Sequence, residues 1–165
     1  MKQLFQLFCF TVCTSAFLYS CNTGFIEIEK ECYFQKDIQF LQALINNSQY
    51  KKNPPSSDLN PIKLGWQIWE NGRLVEFCSS PSTNTECRME YVLSGLIPRE
   101  IGNLTELRKI SLESNEYIGV IPREIGALKK LTDLTLSSNQ LGGSIPSEIG
   151  ELVFLEHLAL NSNTL

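Results

Sequence analysis

The chain has one histidine, His157, and its surroundings decide whether acid–base catalysis is a reasonable expectation. A serine or cysteine nucleophile activated by a histidine base would have to use this side chain. His157 precedes the apolar Leu158, and Asp133 and Lys109 stand at the same position in the two preceding segments of the chain. A row of side chains with alternating charge is typical of a solvated surface. We therefore predict a protein that is not an enzyme, with catalysis through His157 as a remote alternative.

Glutamates recur with the same period, as Glu100, Glu124 and Glu148, and such a column could bind a cation. Arg99 and Arg123 directly precede two of these glutamates and can offset their charges. The glycines nearby belong to turns, not to a strand, loop and helix unit that would bind phosphate. The sequence therefore predicts no catalytic, cofactor or metal site.

Six cysteines are present, and their spacing bears on both metal binding and disulfide formation. Two of them belong to an apolar leader at the N-terminus. The spacing of the other four does not match the paired ligands of a zinc site, and an even number in an exported chain indicates disulfides. Three pairings are possible, of which the pairing of sequence neighbours is the simplest. The four candidates are Cys21, Cys32, Cys78 and Cys87.

The leader, residues 1–20, consists of a basic residue and a mostly apolar run, which is typical of a secretory signal peptide. It is too short and too polar to favour a membrane-spanning helix. Cleavage after Ala16 and cleavage after Ser20 both remain open. A lipoprotein signal with acylated Cys21 is the weaker alternative. We therefore expect the protein to be secreted or to lie on the extracellular face of the plasma membrane.

One sequence motif, Gly-x-Ile-Pro-x-Glu-Ile-Gly, occurs three times in the second half of the chain. The copies cover residues 95–102, 119–126 and 143–150, a constant step of 24. Repetition at a fixed period of this size predicts a solenoid, in which coils stack and present a surface.

Each repeat combines two apolar spacings. Ile110 and Leu112 alternate with polar residues, which predicts a short strand. Ile101, Leu104 and Leu107 are three residues apart, which favours a 3-10 segment on the opposite wall. The polar residues of the strand and of the turn after it then form a concave face. The candidate binding residues on that face are Lys109, Ser111, Glu113, Asp133, Thr135, Ser137, His157, Ala159 and Asn161.

An asparagine occupies the same place in every repeat, as Asn115, Asn139 and Asn163. Its amide has two donors and one acceptor, so a buried column can satisfy backbone groups within and between coils. We interpret these asparagines as structural.

The pattern Leu-x-x-Leu-x-x-Leu-x-Leu-x-x-Asn-x-Leu-x-Gly-x-Ile-Pro resembles the plant-type leucine-rich repeat over residues 93–165. The resemblance implies an α/β repeat fold, with a parallel β-sheet on the concave face and short 3-10 turns on the convex side. It also implies an extracellular recognition module, similar to the N-terminal part of a receptor-like protein or receptor-like kinase ectodomain, that binds a protein, peptide or glycan. A secreted inhibitor of cell-wall-degrading glycosidases is the alternative.

Residues 21–92 are similar to the N-terminal cap of that family. Apolar residues at helical spacing predict an amphipathic helix over 34–45, and the pattern of 73–77 predicts a strand. Trp66 and Trp69 lie between them. Stacking on a ligand is possible for both tryptophans, but burial in the cap is the favoured interpretation.

Charge and sequence motifs limit the partners of this chain. The net charge of −4 and the lack of a basic patch give no reason to expect nucleic acid. Asn46 and Asn103 begin sequons and are candidate N-glycosylation sites in a eukaryotic host. No cap follows the third coil, so we expect part of a longer protein, with end-to-end dimerisation as the alternative. Membrane attachment is then expected only through a further C-terminal span or an acylated Cys21.

Overall fold

The computed structural model describes residues 21–50, 53–81, 87, 89 and 91–165. The predicted signal peptide, with its two alternative cleavage positions, lies outside the described residues. Within the described ranges, no helix combines the length and apolar character needed to cross a bilayer.

The described part of the chain has one α-helix, α1, and ten strands. In chain order these elements are β1 (Phe25–Ile28), β2 (Glu31–Phe34), α1 (Gln35–Asn47), β3 (Trp66–Glu70), β4 (Arg73–Cys78), β5 (Ser94–Leu96), β6 (Lys109–Ser111), β7 (Glu116–Gly119), β8 (Asp133–Thr135), β9 (Gln140–Leu141) and β10 (His157–Ala159). Short 3-10 helices cover Ser48–Tyr50, Pro61–Lys63, Arg99–Asn103, Arg123–Ala127 and Ser147–Glu151.

The main sheet has the strand order β10-β8-β6-β4-β3. Its strands are parallel from β4 to β10, and β3 joins the edge antiparallel to β4. The register follows the sequence period, since Lys109 opposes Asp133 and Asp133 opposes His157. The structure thus confirms the predicted leucine-rich-repeat solenoid, with its parallel sheet, 3-10 turns and helical N-terminal cap.

The 3-10 helices form the wall opposite the main sheet, as the spacing of three residues predicts. The helix Arg99–Asn103 begins after Pro98, and Ile101 N–H donates to the Pro98 carbonyl oxygen at 3.1 Å. Proline suits this position because its φ is already close to helical and its missing N–H would have no partner there. The same geometry recurs in the next two coils.

A second sheet, with the order β5-β7-β9, was not predicted. Its strands have two to four residues and carry no alternating apolar pattern that a sequence could reveal. Gly119, at the end of β7, has φ +77°, and a Cβ there would lie 2.5 Å from Cδ2 of Leu96. Glycine therefore allows both the backbone turn and the close approach of neighbouring coils.

The core is a continuous stack of aliphatic side chains between the sheet and the 3-10 wall. In the first two coils these side chains are at most 1% exposed: Ile101, Leu104, Leu107, Ile110, Leu112, Ile125, Leu128, Leu131, Leu134 and Leu136. Burial of each contributes about 2 kcal/mol to folding. In the third coil Leu158 is 45% exposed, although it occupies the position of the buried Leu134.

The asparagines form a column of side chains that link neighbouring coils. Asn139 Nδ2 donates to the carbonyl oxygens of Leu112 and Leu136 at 2.9 and 3.1 Å. Its Oδ1 accepts from Tyr117 N–H at 3.1 Å. One amide thus satisfies backbone groups of two coils that water cannot reach.

The cap closes the N-terminal end of the core with α1, whose apolar stripe is buried as the helical spacing predicts. Asp37 in its first turn is fully buried and accepts from Arg73 Nε and Leu74 N–H, both at 2.9 Å. Arg73 also donates to the Asn103 carbonyl oxygen at 3.2 Å and so connects the helix to the first coil. Burial raises the pKa of Asp37, and the hydrogen bonds from Arg73 and Leu74 oppose that shift.

Candidate functional site

The concave face is formed by the outward residues of β4, β6, β8 and β10. Its first row runs through Glu76, Lys109, Asp133 and His157, which oppose one another in register. The sign of the charge alternates over Glu76, Lys109 and Asp133, as expected for a solvated surface. Glu76 was missed by the sequence reasoning, because β4 belongs to the cap and lacks the repeat motif.

Asp133 is the most strongly held group of this row. Its Oδ1 lies 3.1 Å from Nδ1 of His157, and its Oδ2 accepts from the Thr132 hydroxyl at 2.6 Å. The His157 side chain is 73% exposed, so its other nitrogen faces solvent. The arrangement presents an oriented imidazole that can exchange hydrogen bonds with a ligand.

The second row has small side chains. Cys78 opposes Ser111, Ser111 opposes Thr135, and Thr135 opposes Ala159. Ser111, Thr135 and Ala159 are each partly exposed. Small residues along the middle of the face leave room for the backbone of a partner to approach the sheet.

The third row follows the strands and centres on Glu113. Its carboxylate accepts long hydrogen bonds from the hydroxyls of Ser80 and Ser137, at 3.5 and 3.4 Å. Ser137 is only 7% exposed, so it supports Glu113 more than it presents a contact of its own. Asn161, in the third coil, is exposed.

The glutamate column lies on the opposite side, where Glu100 and Glu124 line a cavity of about 760 Å³. Arg99 Nε and Arg123 Nε lie 4.0 and 3.9 Å from Glu124 Oε1 and offset its charge. Across the described ranges, no group of three histidine, cysteine, aspartate or glutamate side chains could hold a metal ion.

The four candidate cysteines form two disulfides between sequence neighbours, Cys21 with Cys32 and Cys78 with Cys87. The first closes the hairpin β1–β2. The sequence did not predict this hairpin. The second joins Cys78, the last residue of β4, to Cys87.

The two sequons differ in their surroundings. Asn46 is exposed in the last turn of α1. Asn103 is half-buried at the end of a 3-10 helix, and the Thr105 hydroxyl of its sequon accepts from Arg73 at 3.2 Å. The Ser48 hydroxyl of the Asn46 sequon is also engaged, since it donates to the Leu44 carbonyl oxygen at 2.7 Å. The exposure of the asparagine itself therefore favours a glycan at Asn46.

Comparison with known proteins agrees with this geometry. A family model described as leucine rich repeat matches residues 105–165. Comparison with curated proteins finds no match.

Several solved structures share the fold. The ectodomain of the receptor kinase SOBIR1 from Arabidopsis thaliana is 23% identical, with a TM-score of 0.57, and the match covers 79% of this chain and 68% of that one. The PEPR1–AtPEP1 structure is 25% identical with a TM-score of 0.61, covering 77% and 18%. The BIR2 ectodomain from Arabidopsis thaliana is 25% identical with a TM-score of 0.52, covering 75% and 60%. The chain thus spans less than two thirds of the length of PEPR1 and of BIR2.

A parallel concave sheet, an asparagine column and a wall of 3-10 helices define a solenoid protein built from leucine-rich repeats. The Gly-x-Ile-Pro motif and the likeness to plant receptor ectodomains make it similar to the plant-type class of these repeats. The described residues thus form a leucine-rich-repeat solenoid, and the chain matches the leucine rich repeat family over residues 105–165.

Proposed function

We propose that the chain is an extracellular recognition module that binds a protein or peptide ligand on its concave face. The observation that carries this proposal is the rigid, charged row of Glu76, Lys109, Asp133 and His157, held in register by four parallel strands. A site built on regular strands is positioned more precisely than one built on loops.

The chemistry of the face favours an extended peptide. The central row of Ser111, Thr135 and Ala159 is small enough for a peptide backbone to lie along it. The charged row then selects side chains of alternating sign, since Lys109 attracts acidic groups and Glu76 attracts basic ones. Rim charges of this kind set specificity and the rate of association more than affinity.

The proposal is for a non-enzymatic protein. His157 and Asp133 lie within hydrogen-bonding distance, but the other partner of Asp133 is the Thr132 hydroxyl, which donates to the carboxylate and not to the histidine. A nucleophile activated by histidine would have to donate to the imidazole instead. Binding, not turnover, is what this pair supports.

The proposal includes a longer receptor-like protein as the context of this module. The family resemblance supports it, and so does the fraction of PEPR1 and BIR2 that the chain covers, 18% and 60%. Sequencing the complete transcript tests it: further repeats and a membrane span are expected, and a transcript without them contradicts this context.

The binding proposal is tested by selecting a phage-displayed library of linear peptides against the secreted protein. We expect enriched peptides whose binding is lost on Lys109→Glu. Lys129→Glu is the matched control, because Lys129 is an exposed lysine outside the concave face that pairs with Glu151 at 2.6 Å. Equal loss in both variants, or no enrichment over an irrelevant protein, contradicts a concave binding face.

A further inference from the structure

A second candidate site lies in the cap, where the hairpin β1–β2 meets the edge strand β3. A cavity of about 430 Å³ opens there. Both tryptophans of the chain, Trp66 and Trp69, line it together with Tyr33. Its polar lining residues are Glu29, Glu31, Lys63 and Gln67.

The aromatic wall is held in place by neighbouring groups. Tyr33 and Trp69 pack edge to face, with ring centroids 4.8 Å apart. Trp69 Nε1–H donates to Oε1 of Gln67 at 2.9 Å, and the Gln67 amide donates to the Pro61 carbonyl oxygen at 2.9 Å. Aromatic groups fixed in this way offer contact area with little loss of conformational freedom on binding.

Trp66 is the exposed member of the wall. Its side chain remains 36% accessible, whereas Trp69 is partly buried against the core. Burial in the cap, the interpretation that the sequence favoured, therefore describes Trp69 better than Trp66. An indole at the rim of a cavity can bind an apolar face and still offer its N–H to a polar group.

The polar lining groups are arranged as two preformed pairs. Lys63 Nζ lies 3.1 Å from Oε2 of Glu29, and the Tyr33 hydroxyl donates to Oε2 of Glu31 at 3.0 Å. Each carboxylate keeps a second oxygen, and the ammonium group keeps further N–H donors. The cavity thus presents donors and acceptors beside an aromatic surface.

We propose that this cavity binds a neutral saccharide through the aromatic wall and the two carboxylates. A sugar ring has an apolar C–H face, which suits Trp66, and an edge of hydroxyls that both donate and accept hydrogen bonds. A basic side chain fits less well, because the Lys63 ammonium group already occupies the position beside Glu29.

The saccharide site is independent of the proposed peptide-binding function. Trp66 opposes Cys78 across the sheet, and Cys78 opposes Ser111. The cavity therefore adjoins the concave face without using any of its charged row. Loss of one activity leaves the other measurable.

Tryptophan fluorescence tests the proposal directly, because both indoles of the chain line the cavity. The secreted, disulfide-bonded protein is titrated with cellohexaose, xylohexaose and chitohexaose, and with hexalysine for comparison. We expect a saturable change in emission with at least one oligosaccharide at about 1 mM or below, the range of weak specific binding. No change with any of the three overturns the proposal, and so does a response to hexalysine alone.

Variants locate the binding. Trp66→Ala is expected to weaken oligosaccharide binding about tenfold or more, corresponding to about 1.4 kcal/mol, with Trp69 remaining as the reporter. Tyr50→Ala is the matched control, since Tyr50 is 92% exposed and lies outside the cavity. Glu31→Gln, which does not remove packing, is expected to weaken binding as well. Unchanged affinity in both cavity variants, with thermal melts like those of the parent, overturns the assignment.

Discussion

Asp37 and Arg73 form a buried, two-point ion pair that joins the cap helix to the main sheet. Arg73 Nε and Nη2 lie 2.9 and 3.2 Å from the two carboxylate oxygens of Asp37. The Asp37 side chain is wholly buried and that of Arg73 is 19% exposed. The guanidinium group also lies 4.2 Å from the centre of the Phe34 ring. Three parts of the fold, α1, β4 and the hairpin, therefore meet at one arginine.

Removal of this arginine is predicted to be strongly destabilising. Arg73→Ala leaves the buried Asp37 carboxylate without its charged partner, which typically costs about 3–5 kcal/mol. The free energy of unfolding in urea measures the effect. The matched control is Arg108→Ala, because Arg108 pairs with Glu70 on the surface, with side chains 41% and 43% exposed. That loss is expected to stay below about 1 kcal/mol, and equal losses would show that burial of the pair is unimportant.

The cap should lose stability at high pH through Tyr33. Burial and, to a smaller extent, the hydrogen bond to Glu31 raise the pKa of Tyr33 from its ordinary value of 10.0 to about 12. The folded state keeps this proton longer than the unfolded chain does. The resulting stability is complete below pH 10 and is lost as the pH rises towards 12.

Thermal melts between these pH values measure the effect. Tyr33→Phe should reduce the dependence on pH in that window, and the difference in phenolate absorbance between the two proteins should titrate near 12. A difference curve centred at the ordinary tyrosine value contradicts the prediction.

Two asparagines of the column make the same hydrogen bonds but differ in burial, so their contributions to stability can be compared. Asn139 and Asn163 make equivalent bonds, but Asn139 is 9% exposed and Asn163 is only partly buried. Asn139→Ala leaves Tyr117 N–H unpaired, and an orphaned buried donor costs about 1–3 kcal/mol. Asn163→Ala should cost less, because water can replace its bonds. The free energies of unfolding of the two variants test this prediction. A larger loss of stability in Asn163→Ala than in Asn139→Ala contradicts it.

Tyr117 replaces the usual leucine of the first coil. Its buried hydroxyl neighbours the Ser79 hydroxyl, but among the described residues neither group makes a hydrogen bond of ordinary geometry. Tyr117→Phe removes an unsatisfied polar group while keeping the ring, so we expect unchanged or increased stability, by up to about 1 kcal/mol. Tyr117→Leu, although it restores the consensus, should be less stable than Tyr117→Phe because it leaves a cavity. Denaturant midpoints compare the three proteins, and a clear loss in Tyr117→Phe would reveal a partner for the hydroxyl.

Glycosylation is predicted at Asn46 and not at Asn103. The first is exposed on the cap helix, whereas the second is half-buried beside Arg73. Secretion from human cells, followed by intact-protein mass spectrometry before and after enzymatic deglycosylation, should show one N-glycan. Asn46→Gln should abolish it and Asn103→Gln should leave it. Two glycans on the parent protein contradict the prediction.

The repeats could be predicted from sequence because every packing contact recurs with the same period. The positions of Ile110 and Leu112 follow from their alternation, and the 3-10 wall follows from the spacing of three residues. The cap was only partly predictable. Its helix, expected over 34–45, runs over Gln35–Asn47, and the strand expected over 73–77 runs over Arg73–Cys78.

The features that the sequence did not predict depend mostly on contacts between residues far apart in sequence. Arg73 and Asp37 are 36 residues apart, and no local pattern relates them. The cap cavity likewise depends on β1–β2 folding over β3, which brings Tyr33 to Trp69. The second sheet escaped prediction because hydrogen bonds between backbones, not side-chain patterns, define it. Only the glycines, such as Gly119 with φ +77°, carry a local signal for it.

Because of the asparagine column, the number of coils can change without a change in the contacts between neighbouring coils. Each amide reaches only the adjacent coil, as Asn139 does with Leu112 and Asn163 with Leu136. Insertion or deletion of a whole 24-residue unit therefore allows the same bonds to form at the new junction, whereas insertion or deletion of one residue misplaces the asparagine of that coil. Gene duplication in steps of one unit can lengthen such a protein while its cap, and the cavity within it, remain as they are.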